Sequence, residues 1–185
     1  MHAIYLLALS TGMRQGELLR LKWNDIDLEG GKLHIRRSLQ YQRGTGLVFV
    51  RPKTAKSRRP IKLGTSTVEA LKVHRKKQLE NRLKAGSPWK EQDLDFPPES
   101  GAPHDPSWQY KMFKQAVAGT GLRTTRYHDM RHTAATLLPS KNVPVNVVSE
   151  MLGHSSITIT LNTYSHFVSS LHVQAADVMD SLLSA

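Results

Sequence analysis

The sequence predicts an α+β domain, mainly helical, with one small three-stranded antiparallel sheet. Three observations predict it. Apolar residues recur at helical spacing at the start of the chain and again through most of its second half. Between these stretches, short alternating runs are separated by Gly44-Thr45-Gly46 and by Pro52-Lys53-Thr54-Ala55-Lys56-Ser57. A chain of 185 residues is also long enough to bury one proper core and suggests a single domain.

Taken in order, residues 3–9 are apolar and end at Ser10-Thr11-Gly12, a helix stopped by glycine, and the chain reads as beginning inside that helix. Residues 14–23 predict a second helix with Leu18 and Leu21 inward and Leu19 beside them; Glu17 in its first turn suits the helix dipole. Leu33, Ile35, Leu39 and Tyr41, with Arg37 between them, share one side of a first strand. Leu47 to Val50 is a second strand, and Arg59 to Leu63 a third, held to an edge by Pro60. Thr65-Ser66-Thr67 caps a helix over residues 67–84 whose later part is strongly basic. Residues 85–107 are rich in Pro, Gly, Ser and Asp, an irregular crossing with one short strand near Phe96. Helices follow near 107–119, 128–138, 144–152 and 157–164.

Bulk properties narrow the function. No apolar run approaches the ~20 residues that span a bilayer, and the first nine residues lack the charged start and cleavage site of a signal peptide. The absence of cysteine removes disulfides, thiolate metal sites and cysteine nucleophiles, and suits a cytoplasmic protein. The formal net charge is +11. Its distribution is uneven: residues 141–185 sum to −2, leaving +13 on residues 1–140. A clustered excess of this size points to a polyanion, with nucleic acid as the expected partner.

Four segments carry the chemistry: Thr11-Gly12-Met13-Arg14-Gln15-Gly16-Glu17-Leu18, His128-Asp129-Met130-Arg131-His132, Leu152-Gly153-His154-Ser155-Ser156, and Asn162-Thr163-Tyr164. At 100° per residue His128 and Arg131 share a helix face, with Met130, Ala134 and Leu137 on the opposite, core side. Arg14 opens a helix; Arg14 and Arg131 each offer the planar fork that grips phosphate oxygens in pairs. Glu17 either orients the Arg14 guanidinium or simply caps the helix. His128 and His132 also have the spacing of a helical zinc pair, but position 129 is Asp where that motif has Glu, and no third ligand is evident apart from His154. No metal or cofactor is expected, and His132 reads as a packing residue or as one that supports the site from behind. A lone tyrosine is usually core, as Tyr5, Tyr41, Tyr110 and Tyr127 are read. Tyr164, after two arginines and several histidines, suits a nucleophile on a phosphodiester.

These segments, in this order and spacing, resemble the boxes of the tyrosine recombinase (phage integrase) family, from Ala3 to about Phe167. The resemblance implies a catalytic domain over residues 1–185, with 168–185 as a C-terminal tail helix and without the N-terminal core-binding domain of typical members. It implies that Arg14 and Arg131 clamp the scissile phosphate and that His154 bonds to it. His128 then accepts the tyrosine proton or helps hold the phosphate, and Tyr164 attacks. It also implies a lysine general acid on the turn between the second and third strands, best matched by Lys53, with Lys56 next. The implied reaction is strand cleavage to a 3′-phosphotyrosyl link and its reversal by a partner strand. The implied assembly is a tetrameric synapse of the full-length protein on DNA, with the stripe Leu171, Ala175, Val178 and Leu182 docking in cis or in trans. One departure is Pro139, which predicts an earlier end to its helix. A type IB topoisomerase-like enzyme, a non-catalytic basic DNA-binding module and a metal-dependent nuclease are the alternatives. The Leu152-Gly153-His154 box, the intact set of reacting residues and the lack of clustered acids weigh against each in turn.

Overall fold

In a computed structural model, the described residues are 2–42, 46–50, 58–102, 106–121, 125–164 and 179–184. Helix α1 (His2–Thr11) buries Ala3, Ile4, Leu7, Ala8 and Thr11. It stops at Gly12, whose φ of +59° needs glycine, and a Cβ there would lie 2.3 Å from Leu152 Cδ2.

The expected second helix is shorter than its sequence span. α2 covers only Gln15–Leu18, and a 3-10 turn (Trp23–Asp25) follows an extended step. Leu18, Leu19 and Leu21 are all buried, a set too wide for one helical stripe. The chain instead turns out to pair with residues 93–95: Asp95 N–H donates to Leu21 O and Trp23 N–H to Asp93 O. The strand expected near Phe96 is this contact, a single bridge between Lys22 and Leu94.

The sheet has three antiparallel strands, as expected, but different segments build it. β1 (Ile26–Asp27), β2 (Lys32–Ile35) and β5 (Arg59–Lys62) run in the order β1-β2-β5. Leu33 pairs with Ile61, and Ile35 with Arg59. β3 (Ser38–Gln42) and β4 (Gly46–Val50) form a separate ladder, so residues 33–41 are two strands rather than one. The break falls at Arg36 and Arg37, which both reach the buried Asp25 carboxylate, Arg37 Nη1 at 2.5 Å and Arg36 Nε at 3.6 Å. A pair of arginines drawn to one carboxylate cannot keep the alternation of a strand. Pro60 does lie in an edge strand.

α3 (Thr65–Ala85) starts two residues early, with Gly64 rather than the Thr-Ser-Thr run at its cap. α4 (Pro106–Val117), α5 (Tyr127–Ser140), α6 (Val145–Leu152) and α7 (Ile157–Tyr164) match the remaining expectations closely. Pro139 does not end α5; it lies buried in the last turn, where only one backbone bond is lost, and Asn142 at φ +62° ends the segment. Leu137 is 53% exposed, against expectation. By that point α5 has passed α1, where Met130 packs, and meets α6 through Ala135 and Leu138 instead. The main core joins α1, α2, the sheet and the start of α3. A smaller cluster of Ala135, Val148 and Leu152 fixes α6 on α5.

Candidate active site

The site is assembled around the C-terminal end of α6. A helix leaves its last carbonyls without intrahelical partners, and they carry the negative end of its dipole. α6 ends in a glycine turn: Gly153 is left-handed (φ +66°), and its N–H and that of His154 bond back to Glu150 and Ser149. Three successive carbonyls then face three different arginines. Met151 O accepts Arg59 Nε at 2.6 Å. Leu152 O accepts Arg131 Nη2 at 2.8 Å. Gly153 O accepts Arg14 Nη2 at 2.9 Å. The guanidiniums come from β5, α5 and the start of α2, so one helix end gathers cations from three parts of the chain.

Arg131 is buried and has a second anchor, Nη1 to Gly12 O at 2.6 Å. Its position on α5 follows from the helix packing its Ala134 and Ala135 inward. Among the described residues Glu17 is the carboxylate that meets these cations, and it does both of the things its sequence position suggested. Oε2 accepts the Arg14 backbone N–H at 2.9 Å, capping α2, and Oε1 accepts Arg14 Nη1 at 3.0 Å, orienting the guanidinium. Arg59 grips the same carboxylate with both terminal nitrogens at 3.1 Å. The side chains of Glu17 and Arg59 are 4% and 6% exposed, whereas that of Arg14 is 40% exposed. Only the Arg14 fork of this trio is open to a ligand.

Arg59 was not among the residues expected from the sequence. Its signal was faint: β5 buries alternate residues, so Arg59 shares the inward face with Ile61. An inward arginine requires a buried acceptor, and Glu17 lies 42 residues away.

The electrostatics show a site short of negative charge. Arg131 has its pKa pulled down to about 9 by burial, then by Arg14, with Glu17 opposing. His154 is held down at about 4 by burial and by the charges of Arg131, Arg14 and Arg59. His128 is lowered by burial, then by His132 and Arg131. The charged forms of Arg131, His154 and His128 are disfavoured first by burial and then by neighbouring cations, a setting that an anion would relieve. Glu17 stays ionised: burial works against it, but Arg59 and Arg14 outweigh that and hold its pKa below the ordinary value.

His154 is fixed by its ring. Nδ1 lies 2.7 Å from the hydroxyl of Thr160, a fully buried residue of α7. Tyr164 is the last residue of α7, one helical turn beyond Thr160, so ~6 Å further along the axis. The structure thus brings Arg14, Glu17, Arg131 and His154 into one cluster and ties the helix of Tyr164 to it. His128 is exposed on α5, with the His132 ring edge-to-face against it at 4.8 Å. His132, itself exposed on α5, touches His128 through this ring contact. Lys53 and Lys56 lie outside the described residues, as do residues 165–178, which include the first part of the expected tail helix over 168–185. No helix among the described residues is long and apolar enough to cross a membrane.

Comparison with known proteins places these features in context. The family model described as "Phage integrase family" matches residues 1–170. The chain is 38% identical over 191 residues to "Tyrosine recombinase XerC-like" of Caldanaerobacter subterraneus subsp. tengcongensis, covering 97% of this chain and 49% of that protein. It is 32% identical to an integrase of Streptomyces ambofaciens, covering 98% and 48%. Among solved structures, the Tn1549 transposon integrase in complex with transposon right end DNA superposes with a TM-score of 0.77 at 26% identity, covering 95% of this chain and 58% of that one. The XerH site-specific recombinase bound to palindromic difH substrate, a post-cleavage complex, superposes at 0.64 with 29% identity, covering 96% and 45%. The chain spans about half the length of the curated relatives it matches.

Proposed function

The chain belongs to the phage integrase family, and from that membership and the arginine cluster we propose that it carries the catalytic centre of a tyrosine recombinase. The proposed substrate is double-stranded DNA; the similar Tn1549 transposon integrase is in complex with transposon right end DNA. The observation that carries the reading is the convergence of Arg14, Arg59 and Arg131 on one helix end with a single carboxylate to offset them. Three cations and one anion leave an excess of positive charge that a phosphodiester would neutralise.

In the proposed reaction the Tyr164 oxygen attacks the scissile phosphorus. A bond forms from that oxygen to phosphorus, and the bond from phosphorus to the 5′ oxygen breaks. The phenol proton passes to His128, and Lys53 delivers a proton to the departing 5′ oxygen. Arg14 and Arg131 hold the non-bridging oxygens, whose charge grows in the transition state. Because guanidiniums pinned to backbone carbonyls need no rearrangement, they can stabilise that charge from a fixed position. When the Thr160 hydroxyl donates to Nδ1 of His154, Nε2 carries the ring proton and donates to a third phosphate contact. A low pKa keeps that imidazole neutral in the empty site; an arriving phosphate raises it and strengthens the bond. The 3′-phosphotyrosyl link conserves the bond energy, and the 5′-hydroxyl of a partner strand reverses the step.

Residues 1–185 serve as the catalytic domain in this reading, with the tail after residue 168 supporting a tetrameric assembly of the full protein on DNA. The test uses a duplex selected from a random pool by binding and nicked near its centre, with EDTA present. Wild-type protein should stay attached to DNA through denaturation. Tyr164→Phe should bind equally and form no adduct; an adduct of full strength in that variant defeats the proposal.

A further inference from the structure

We infer that Arg59 is a positioning residue of this site: by matching the Glu17 carboxylate from behind, it leaves the charge of Arg14 for the phosphate. The inference rests on the recombinase reading above. Three geometric facts support it. Arg59 and Glu17 form a paired fork, both bonds at 3.1 Å, and both side chains are almost fully buried. Glu17 also binds Arg14 at 3.0 Å, and Arg14 is the exposed member of the three. Gly153 leaves the space Arg59 occupies, since a Cβ there would meet Arg59 Nη1 at 2.7 Å.

The charges then divide cleanly. A buried carboxylate with two guanidiniums is saturated by the buried one, which cannot leave. Arg14 keeps its orientation from Glu17 without surrendering its full charge. Without Arg59, Glu17 would have two courses. It would draw Arg14 wholly to itself, competing with the phosphate, or it would take up a proton, because burial is the largest influence on its pKa and works upward. Either course loosens the clamp. The groups that face Glu17 are Arg14 from α2, Arg59 from β5, and Arg131 and Tyr127 from α5. α6 adds the carbonyls of Met151 and Gly153 to the two arginines that bind the carboxylate, with His154 next in the chain. Of these only Arg59 is both buried and paired to Glu17 by two bonds.

The role makes a signature that packing alone would not. Single-turnover cleavage by Arg59→Met, divided by the wild-type rate at each pH, should be on the order of tenfold low near pH 8. The ratio should then fall further, by about tenfold per pH unit, below the raised Glu17 pKa. Arg59→Lys, which keeps the charge, should give a ratio that does not change with pH. Adding Glu17→Gln to Arg59→Met should abolish the pH dependence. A pH-independent ratio for Arg59→Met overturns the inference, as does an Arg59→Lys protein that behaves like Arg59→Met. Carbon-13 titration of the Glu17 carboxyl supplies a readout that needs no cleavage. Its midpoint should lie below the ordinary glutamate value in the wild type, stay close to the wild-type position in Arg59→Lys, and rise in Arg59→Met. If Arg59→Met does not fold, Arg59→Gln decides: an unchanged Glu17 midpoint there overturns the inference. A wild-type protein that makes no adduct would count against the recombinase reading, while the titration would still judge Arg59.

Discussion

Gly153→Ala tests whether the glycine turn at the end of α6 holds the arginines in place. Two costs can be separated. The backbone stands at φ +66°, and a left-handed conformation costs an alanine ~1–2 kcal/mol. The new methyl would also fall 2.7 Å from Arg59 Nη1 and 2.9 Å from its Cζ. A free side chain would swing away at little cost. Arg59 cannot, because its nitrogens are committed to Glu17 at 3.1 Å twice and to Met151 O at 2.6 Å. Breaking one bond of this charged kind costs about 1.5–3 kcal/mol, so the total is ~2.5–5 kcal/mol, a large part of the ~5–15 kcal/mol that holds a domain folded. Urea unfolding of the full chain measures it directly. The background should matter: in a protein already carrying Glu17→Gln and Arg59→Met, the Arg59 term disappears and Gly153→Ala should cost only the ~1–2 kcal/mol of strain. Equal costs in the two backgrounds would show that Gly153 and Arg59 are not coupled, and a cost under ~1 kcal/mol in the wild type would refute both terms.

Arg14→Lys and Arg131→Lys keep the charge but lose the fork, so each should slow single-turnover cleavage by ~10²–10³; near-normal rates would remove them from the clamp. His154 should titrate by NMR near 4 in the DNA-free protein. The unfolded chain takes up a proton below ~6.5 and the folded chain does not until about 4. Stability at this residue is therefore lost as pH falls across that window, and His154→Gln should remove that part of the slope in urea titrations; an unchanged slope contradicts the assignment. Lys53→Ala should slow cleavage of an ordinary phosphodiester far more than of a 5′-bridging phosphorothiolate, whose sulfur leaves without a proton. Equal slowing would move Lys53 to phosphate binding and favour Lys56 as the acid.

Much of this site was legible because its residues lie beside local punctuation. Arg14 follows the glycine that ends α1, His154 follows the glycine that ends α6, and Arg131 shares an α5 face with His128 in a helix whose apolar spacing is clear. The helices were legible for the same reason. Less so was what depends on distant partners. Arg59 is fixed by a carboxylate 42 residues away and a carbonyl 92 residues away. The break between β2 and β3 depends on Asp25 drawing in Arg36 and Arg37. Leu137 has the spacing of a core residue, but its exposure depends on where α5 leaves α1 and meets α6. Sharing three carbonyls among three arginines is likewise a property of the packed end of α6, with no trace in local sequence.

In the proposed reaction Tyr164 becomes covalently bonded to DNA. The chain favours a direct measurement: no Lys or Arg follows Lys141, so trypsin releases residues 142–185 as one peptide, in which Tyr164 is the sole tyrosine. Adduct formed on a nicked duplex in EDTA would be digested with nuclease and trypsin, and the phosphonucleotide located by fragment-ion mass spectrometry. The added mass should lie on this peptide at Tyr164. Its presence on any other residue, or a nicked product with no protein attached, would contradict the proposed reaction.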